Sequence, residues 1–442
     1  MKTQRLIWPW ECSRTEVLKT IIEPFKSIVD MDSKIAAISM GKLRPRQLST
    51  LFTLYYNEPS LEKHRIPQDY LVDELLPFMQ KLITSAPKTF RDYDSMLLTP
   101  ATHGNIVLTR MQVATIIACS WFGLFEYNYI TKGDIAIEEF PEMTLLYIFT
   151  STNVYALQCI LGYFMRTHTE SKQATASFRD GIIIIKRAGH VGEYSTSNSK
   201  ICDIFLGDGV VDDSPAKMQV VSAHEFIGGE LFQGSLTQEE ILLLARPECL
   251  AAVLFCSRLN DDETITIYGA EKMSARTGFG SDMHYDGEII DDTPRGRVGN
   301  QSLLQTAVIF IDASPRTSGS SQYISDFARD VNKAVCGFMS TKFSNLECVA
   351  SGHWSYGFVG NDMQLKFLQL VIAASISKRN LIYHAQSKDF ETRLIPFIEW
   401  LQTSKLTVCD LYNIYKKLLK SCGSGPFGRL NNLELFDYFM EH

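Results

Sequence analysis

Apolar residues recur at steps of three and four over residues 17–28, 70–83, 110–125 and 154–165. That spacing puts one face of a helix into a core. Pro24, Pro59, Pro67, Pro87, Pro100 and Pro141 punctuate the stretch. The pattern predicts an all-helical accessory region over residues 1–170. From about residue 176 the rhythm changes. Short runs, several rich in Ile and Val, at 181–186, 201–205, 218–222, 264–269, 305–311, 346–351 and 381–384 read as buried strands. Helical spacing falls between them, at 238–255, 320–336 and 363–377. Strands alternating with helices predict an α/β core with a mixed or mostly parallel sheet covered on both faces, over residues 171–387. The tail returns to helix at 390–402 and 408–419, so residues 388–442 read as helices packed on the core. Residues 274–300 are rich in Gly and Asp and read as one long loop, functional or mobile.

Composition narrows the class of protein. The chain has 442 residues, enough for more than one core, with 45% hydrophobic and 21% charged residues, as in soluble globular proteins. Its net charge of −7 argues against a general nucleic-acid binder, so direct DNA binding is not expected. A polyanionic ligand would need a local groove of backbone N–H groups and a few basic side chains. The ten cysteines are scattered, without CxxC spacing or a Cys/His cluster. They read as reduced, buried thiols of an intracellular protein, with no metal site. Lys2 and Arg5 are followed by no apolar segment of signal-peptide length, so secretion is not expected. Residues 143–165 carry no formal charge and are long enough to span a bilayer. Thr150-Ser151-Thr152-Asn153 interrupts them, which predicts two buried helix segments joined by a turn and no membrane span.

One stretch stands out from this ordinary background. Phe226-Ile227-Gly228-Gly229-Glu230 is followed, after seven residues, by Gln238-Glu239-Glu240. A glycine turn brings backbone close to a ligand and offers its N–H groups to phosphate. Two carboxylates a few residues downstream suit the acid/base work of glycosidic cleavage. Adjacent positions on a helix point about 100° apart, so the two carboxylates have different jobs. An acidic first turn, favoured by the helix dipole, is the plainer reading of the same pair. Phosphate cradle and glycosidase carboxylates together suggest ADP-ribose as the ligand.

The spacing resembles the signature of poly(ADP-ribose) glycohydrolases: three glycines, six to eight residues, then Gln-Glu-Glu. Other segments resemble the family in the same order. They are Arg246-Pro247-Glu248, Gly269-Ala270-Glu271, Thr277-Gly278-Phe279, Val331-Asn332-Lys333-Ala334-Val335-Cys336-Gly337-Phe338, Ser351-Gly352-His353-Trp354 and Gly360-Asn361-Asp362. The likeness runs from about residue 111 to 415. It implies a macrodomain-type mixed sheet core with flanking all-helical N- and C-terminal regions. It also implies cleavage of ribose–ribose bonds in poly(ADP-ribose), without a cofactor or metal. Glu240 would be the catalytic acid/base, and Glu239 would place the ligand ribose. Gln238, Gly228 and Gly229 would touch the ligand. Val211 and Asp212 align with a pair that holds adenine. Phe279 matches an aromatic near the ligand; Met283 falls where the family often has a second one, and nearby Tyr285 could serve instead. His353, Trp354 and Gly357 match a diphosphate-binding loop, and His224 stands where the family has asparagine. Poly(ADP-ribosyl)ated proteins would be the partners, in the nucleus or cytoplasm, within the DNA damage response.

The chain departs from the family pattern at Val221, His224, Glu230 and His353. Val221 stands in place of an acidic residue, and Glu230 in place of the third glycine. Restoring Asp at 221 and Gly at 230 is expected to raise activity. A homologue that binds ADP-ribose or polymer ends as a reader is the other class these departures leave open.

Overall fold

A computed structural model describes the chain except residues 1–5, 12–14, 40, 94–95, 101, 126–139, 151–152, 175–180, 191, 230–235, 314–319, 340–342, 344–345, 355–361, 386 and 422–434. The N-terminal helices start and stop where local chemistry dictates. The run predicted over 17–28 is broken. Thr15–Ile22 ends before Pro24, and Ile28–Ile38 begins afresh with Ser27 accepting the Asp30 N–H at 3.1 Å. Arg110–Trp121 opens with a capping box. The Thr109 hydroxyl accepts the Gln112 N–H at 3.2 Å, and Gln112 accepts the Thr109 N–H at 2.8 Å. Residues 143–165 form a 3-10 turn at Leu146–Thr150 and the helix Val154–Gln173. Asn153 caps that helix, and no described helix is long and apolar enough to cross a membrane.

Twelve strands are described: β1 (Gly104–Thr109), β2 (Ile182–Gly189), β3 (Ile204–Leu206), β4 (Met218–Ser222), β5 (Glu263–Tyr268), β6 (Ser274–Thr277), β7 (His284–Glu288), β8 (Arg295–Val298), β9 (Gln301–Leu304), β10 (Ala307–Ile311), β11 (Cys348–Ser351) and β12 (Asn380–Tyr383). Eight form one sheet in the order β1-β2-β5-β10-β4-β11-β12-β3. From β10 to β3 every neighbouring pair runs parallel. All seven strands expected from the sequence are present. β1 was not expected, because it lies in the stretch read as helical. Its buried Ile106 and Leu108 alternate with exposed Asn105 and Val107, too briefly to stand out. The stretch read as one loop at 274–300 instead holds two antiparallel pairs, β6–β7 and β8–β9, the last ending at Leu304. The helix expected over 238–255 is divided into Gln238–Ala245, a 3-10 turn at Pro247–Leu250, and Ala251–Phe255. Pro247 is the cause: it supplies no N–H and disfavours helical backbone at Arg246.

The backbone forms two compact units. The first is Met1–Lys186, Phe226–Arg258 and Ile267–Thr306; the second is Arg187–Glu225, Leu259–Thr266 and Ala307–His442. In the second, the helix Met363–Ile376 is buried almost throughout, and β4, β10 and β11 form the apolar centre.

Candidate active site

In the first unit the glycine turn and the glutamate pair grip each other. Gly228 has φ +96° and Gly229 φ +47°, the left-handed region that favours glycine. Glu239 Oε1 accepts the Gly228 N–H at 2.8 Å, and the Gly229 N–H donates to the Phe226 carbonyl at 3.1 Å. Both turn N–H groups are therefore satisfied inside the protein rather than held out for phosphate. What the glycines provide is closeness. A Cβ on Gly229 would lie 2.5 Å from Glu240 Oε1 and 3.1 Å from Glu239 Oε2.

Both carboxylates are buried, Glu239 at 2% exposure and Glu240 at 1%. Glu240 is the third residue of the helix Gln238–Ala245 and completes a capping box. Its Oε2 accepts the Thr237 N–H at 2.8 Å, while the Thr237 hydroxyl accepts the backbone N–H of Glu240. The acidic-first-turn reading and the catalytic reading thus describe the same side chain: the cap fixes one oxygen, and the other is aimed at the glycine turn. Gln238, half-buried, opens the helix.

The far end of that helix is tied down by polar contacts distant in sequence. The Ala245 carbonyl accepts the Met273 N–H at 2.8 Å, and Arg246 Nη1 donates to the Ala270 carbonyl at 3.1 Å. Glu248 accepts the Glu271 N–H at 3.0 Å and lies 3.1 Å from Arg110. Burial pushes the Glu248 carboxyl up to about 7, against the pull of Arg110.

Phe279 stands at the turn between β6 and β7, 57% exposed, between Gly278 and Gly280, which have φ +71° and +61°. Met283 is wholly buried, and Tyr285 is buried with its ring 5.4 Å from His64. Neither presents a ring or side chain to solvent, so Phe279 is the exposed aromatic of this hairpin.

In the second unit, parallel register brings the remaining candidates to one edge. Ser222 pairs with Ile311, Ser351 with Tyr383 and Leu206 with Tyr383, while Ala350 pairs with Gln219, so β11, β12 and β3 stop together and β4 and β10 run slightly past them at the same end of the sheet. Ligands of α/β sheets bind outside these carboxyl ends. His224 follows β4 and is exposed; His353 and Trp354 follow β11; Val211 and Asp212 form a 3-10 turn after β3. Val211 packs inward with Ala216 and Ala350, so its side chain shapes the turn from beneath. Gln219 Nε2 donates to the Val211 and Asp212 carbonyls at 3.1 and 3.4 Å. His384, fully buried after β12, holds the chain just ahead of this turn through a 3.0 Å bond between Nδ1 and the Asp208 carbonyl.

His353 Nδ1 hydrogen-bonds the Tyr383 hydroxyl at 2.9 Å, and burial lowers its pKa. The Trp354 ring is buried, with the Lys366 ammonium 4.5 Å from its centre. Lys366 pairs with Asp330, which also pairs with Arg329 at 2.9 Å. Gln219, His384 and Lys366 were not singled out by the sequence. Each acts through a partner remote in the chain, and only the strand-end position of His384 hinted at it.

Gly357 and Glu230 lie outside the described residues. Val221 is fully buried within β4, opposite Phe310 of β10. A carboxylate at that position would have no water. Among the described residues no group of three or more His, Cys, Asp or Glu is placed to hold a metal ion.

Two family models match the chain in succession. That for "Poly (ADP-ribose) glycohydrolase (PARG), helical domain" covers residues 64–187, and that for "Poly (ADP-ribose) glycohydrolase (PARG), Macro domain fold" covers 191–392. Among similar proteins is poly(ADP-ribose) glycohydrolase 1 of Arabidopsis thaliana, 24% identical over 97% of this chain and 94% of the relative. Probable poly(ADP-ribose) glycohydrolase 2 of the same plant is 26% identical, covering 92% of this chain and 84% of its own. Poly(ADP-ribose) glycohydrolase 1 of Caenorhabditis elegans is 30% identical over 40% of this chain and 24% of the relative. With both models matched in chain order, the chain belongs to the poly(ADP-ribose) glycohydrolase family, a family of glycosidases.

Proposed function

We propose that the chain hydrolyses ribose–ribose bonds of poly(ADP-ribose) and releases ADP-ribose, with Glu240 as the acid/base. The observation that carries this reading is the buried Glu239–Glu240 pair clamped against a left-handed glycine turn. In this mechanism Glu240 protonates the departing ribose oxygen as the anomeric carbon takes on oxocarbenium character, then draws a proton from the attacking water. The capping bond from Thr237 holds Oε2 and fixes the carboxyl rotamer without protonating it, and Oε1, on the side of the glycine turn, is the oxygen that transfers the proton. Glu239 holds Gly228 and, through it, the shape of the turn that meets the ribose. Gln238, Gly228, Gly229 and Phe279 keep the ligand-contacting roles that family resemblance gives them. In the second unit, Asp212 accepts from the adenine amino group, with Val211 supporting the turn. His224, His353, Trp354 and Gly357 are assigned to the ribose and diphosphate. The reading extends to poly(ADP-ribosyl)ated proteins of the DNA damage response as substrates, in nucleus or cytoplasm.

The test uses purified protein and labelled polymer. Glu240→Gln keeps the shape and still accepts the Thr237 N–H, but has no proton to give. It should abolish release of ADP-ribose while ADP-ribose still raises the melting temperature. Turnover near the wild-type rate in this variant would remove Glu240 from the mechanism.

A further inference from the structure

We propose that the sheet edge at β3 carries a second binding cleft, which takes a nucleoside-diphosphate unit of the polymer away from the bond being cleaved. The proposal rests on the glycohydrolase reading for its ligand. Among the described residues β3 is the last strand of the sheet and pairs with β12 alone. Phe205, in its centre, is 49% exposed. A cleft of about 760 Å³ follows it, lined by Lys200, Cys202, Asp203, Phe205, Gln402 and Lys405 among others. A recess of about 360 Å³ shares Lys200 and Cys202 with it and adds Lys378 and Arg379. Volumes of this size hold a nucleotide.

Charge identifies the occupant. Lys200, Lys378, Arg379 and Lys405 outnumber the carboxylates nearby, Asp203 in the cleft and Glu399 on another side of Phe205, in a chain whose net charge is −7. None of the three lysines is ion-paired among the described residues. Arg379 is anchored by a hydrogen bond to the Leu346 carbonyl. Lys378 and Lys405 have φ +54° and +55°, and each directly follows a helix end, after Ser377 and Ser404. Glycine or asparagine is usual there. The helix dipole favours a cation at such an end, which accounts for either lysine alone. It does not account for the two lying in adjoining recesses that share Lys200, one lined by Arg379 and the other by an exposed ring. An aromatic face for a base, with ammonium groups around it for phosphate, is the arrangement that holds single-stranded polynucleotides. Gln402 gives its amide N–H to the Ile204 carbonyl at 3.1 Å and keeps its own carbonyl oxygen for a base amino group.

Lysines near a short edge strand also guard against pairing with another chain, and the experiment separates the two roles. The triple variant Lys200→Gln, Lys378→Asn, Lys405→Asn removes the charges, and asparagine tolerates the left-handed backbone. Binding of long polymer and of free ADP-ribose is measured by anisotropy and melting shift on the Glu240→Gln background, which stops turnover. The expected result is about tenfold weaker binding of long polymer, a salt slope lower by about 2, and unchanged affinity for ADP-ribose. Phe205→Ala should weaken long-polymer binding without changing the salt slope. Long-polymer affinity and salt slope equal to those of the parent would make the cleft a guarded edge only, and the proposal would fall. The two readings fail separately. Cleft-dependent binding by a wild-type protein that cleaves nothing counts against the catalytic assignment; cleavage with cleft-independent binding counts against the cleft.

Discussion

Replacing Gly229 by alanine tests the glycine–glutamate clamp directly. The backbone there has φ +47°, so any Cβ carries left-handed strain of about 1–2 kcal/mol. The new carbon would lie 2.5 Å from Glu240 Oε1, where ordinary contact begins at 3.4 Å. The carboxylate must therefore retreat by about 0.9 Å, and it has little room, being 1% exposed and bonded to the Thr237 N–H at 2.8 Å. Losing that cap adds about 1 kcal/mol, for a total near 2–3 kcal/mol. A displacement of about 1 Å at a reacting group costs on the order of 10²-fold in rate. Gly299→Ala is the control, because φ is +62° there and nothing lies within 4 Å of the added carbon. Steady-state release of ADP-ribose and thermal melting are measured for both. Gly229→Ala should lose about 10²-fold in kcat and more stability than Gly299→Ala. If the two variants melt alike and Gly229→Ala keeps its kcat, Glu240 is not pressed against the turn and the clamp is wrong.

The other predictions concern the surroundings of that clamp. Glu248, raised to about 7 from the usual 4.5 by burial, binds its proton more tightly folded than unfolded. It therefore stabilises the fold below about pH 4.5 and loses that contribution as pH rises toward 7. Glu248→Gln should flatten the fall in stability across this window, measured by urea unfolding at several pH values; an unchanged slope would count against a buried, proton-binding Glu248. Gly278→Ala would drive a Cβ into the Asp282 backbone carbonyl at the turn that carries Phe279 and add left-handed strain, so ADP-ribose affinity should drop together with the melting temperature. Unaltered affinity would show that Phe279 does not touch the ligand. Val221→Asp should destabilise rather than activate, by several kcal/mol, because the carboxylate would replace a wholly buried side chain in β4. A stable, more active variant would mean that the strand end opens in solution.

Local chemistry was legible along the chain. Periodicity located seven of the sheet strands and most of the long helices, because a buried face repeats at a fixed step whatever it packs against. The boundaries at Pro24 and Pro247 follow from the missing proline N–H, and the capping boxes at Thr109 and Thr237 involve residues three apart. Order of motifs was enough to name the family. Partners chosen across the chain were not legible. Arg110 meets Glu271 from 161 positions away, and Gln402 reaches Ile204 across 198. The sequence offered the N–H of Gly228 to phosphate; the folded turn gives it to Glu239. It offered Tyr285 as a free aromatic and Val221 as a lost carboxylate; packing buries both. Parallel register alone decided that His224, His353 and the Val211–Asp212 turn leave the sheet from the same end, and that β3 is its terminal strand among the described residues. Spacing in the chain records which positions share a face. Which groups meet there is settled by closure of distant segments around a common core, and that depends on every side chain packed between them.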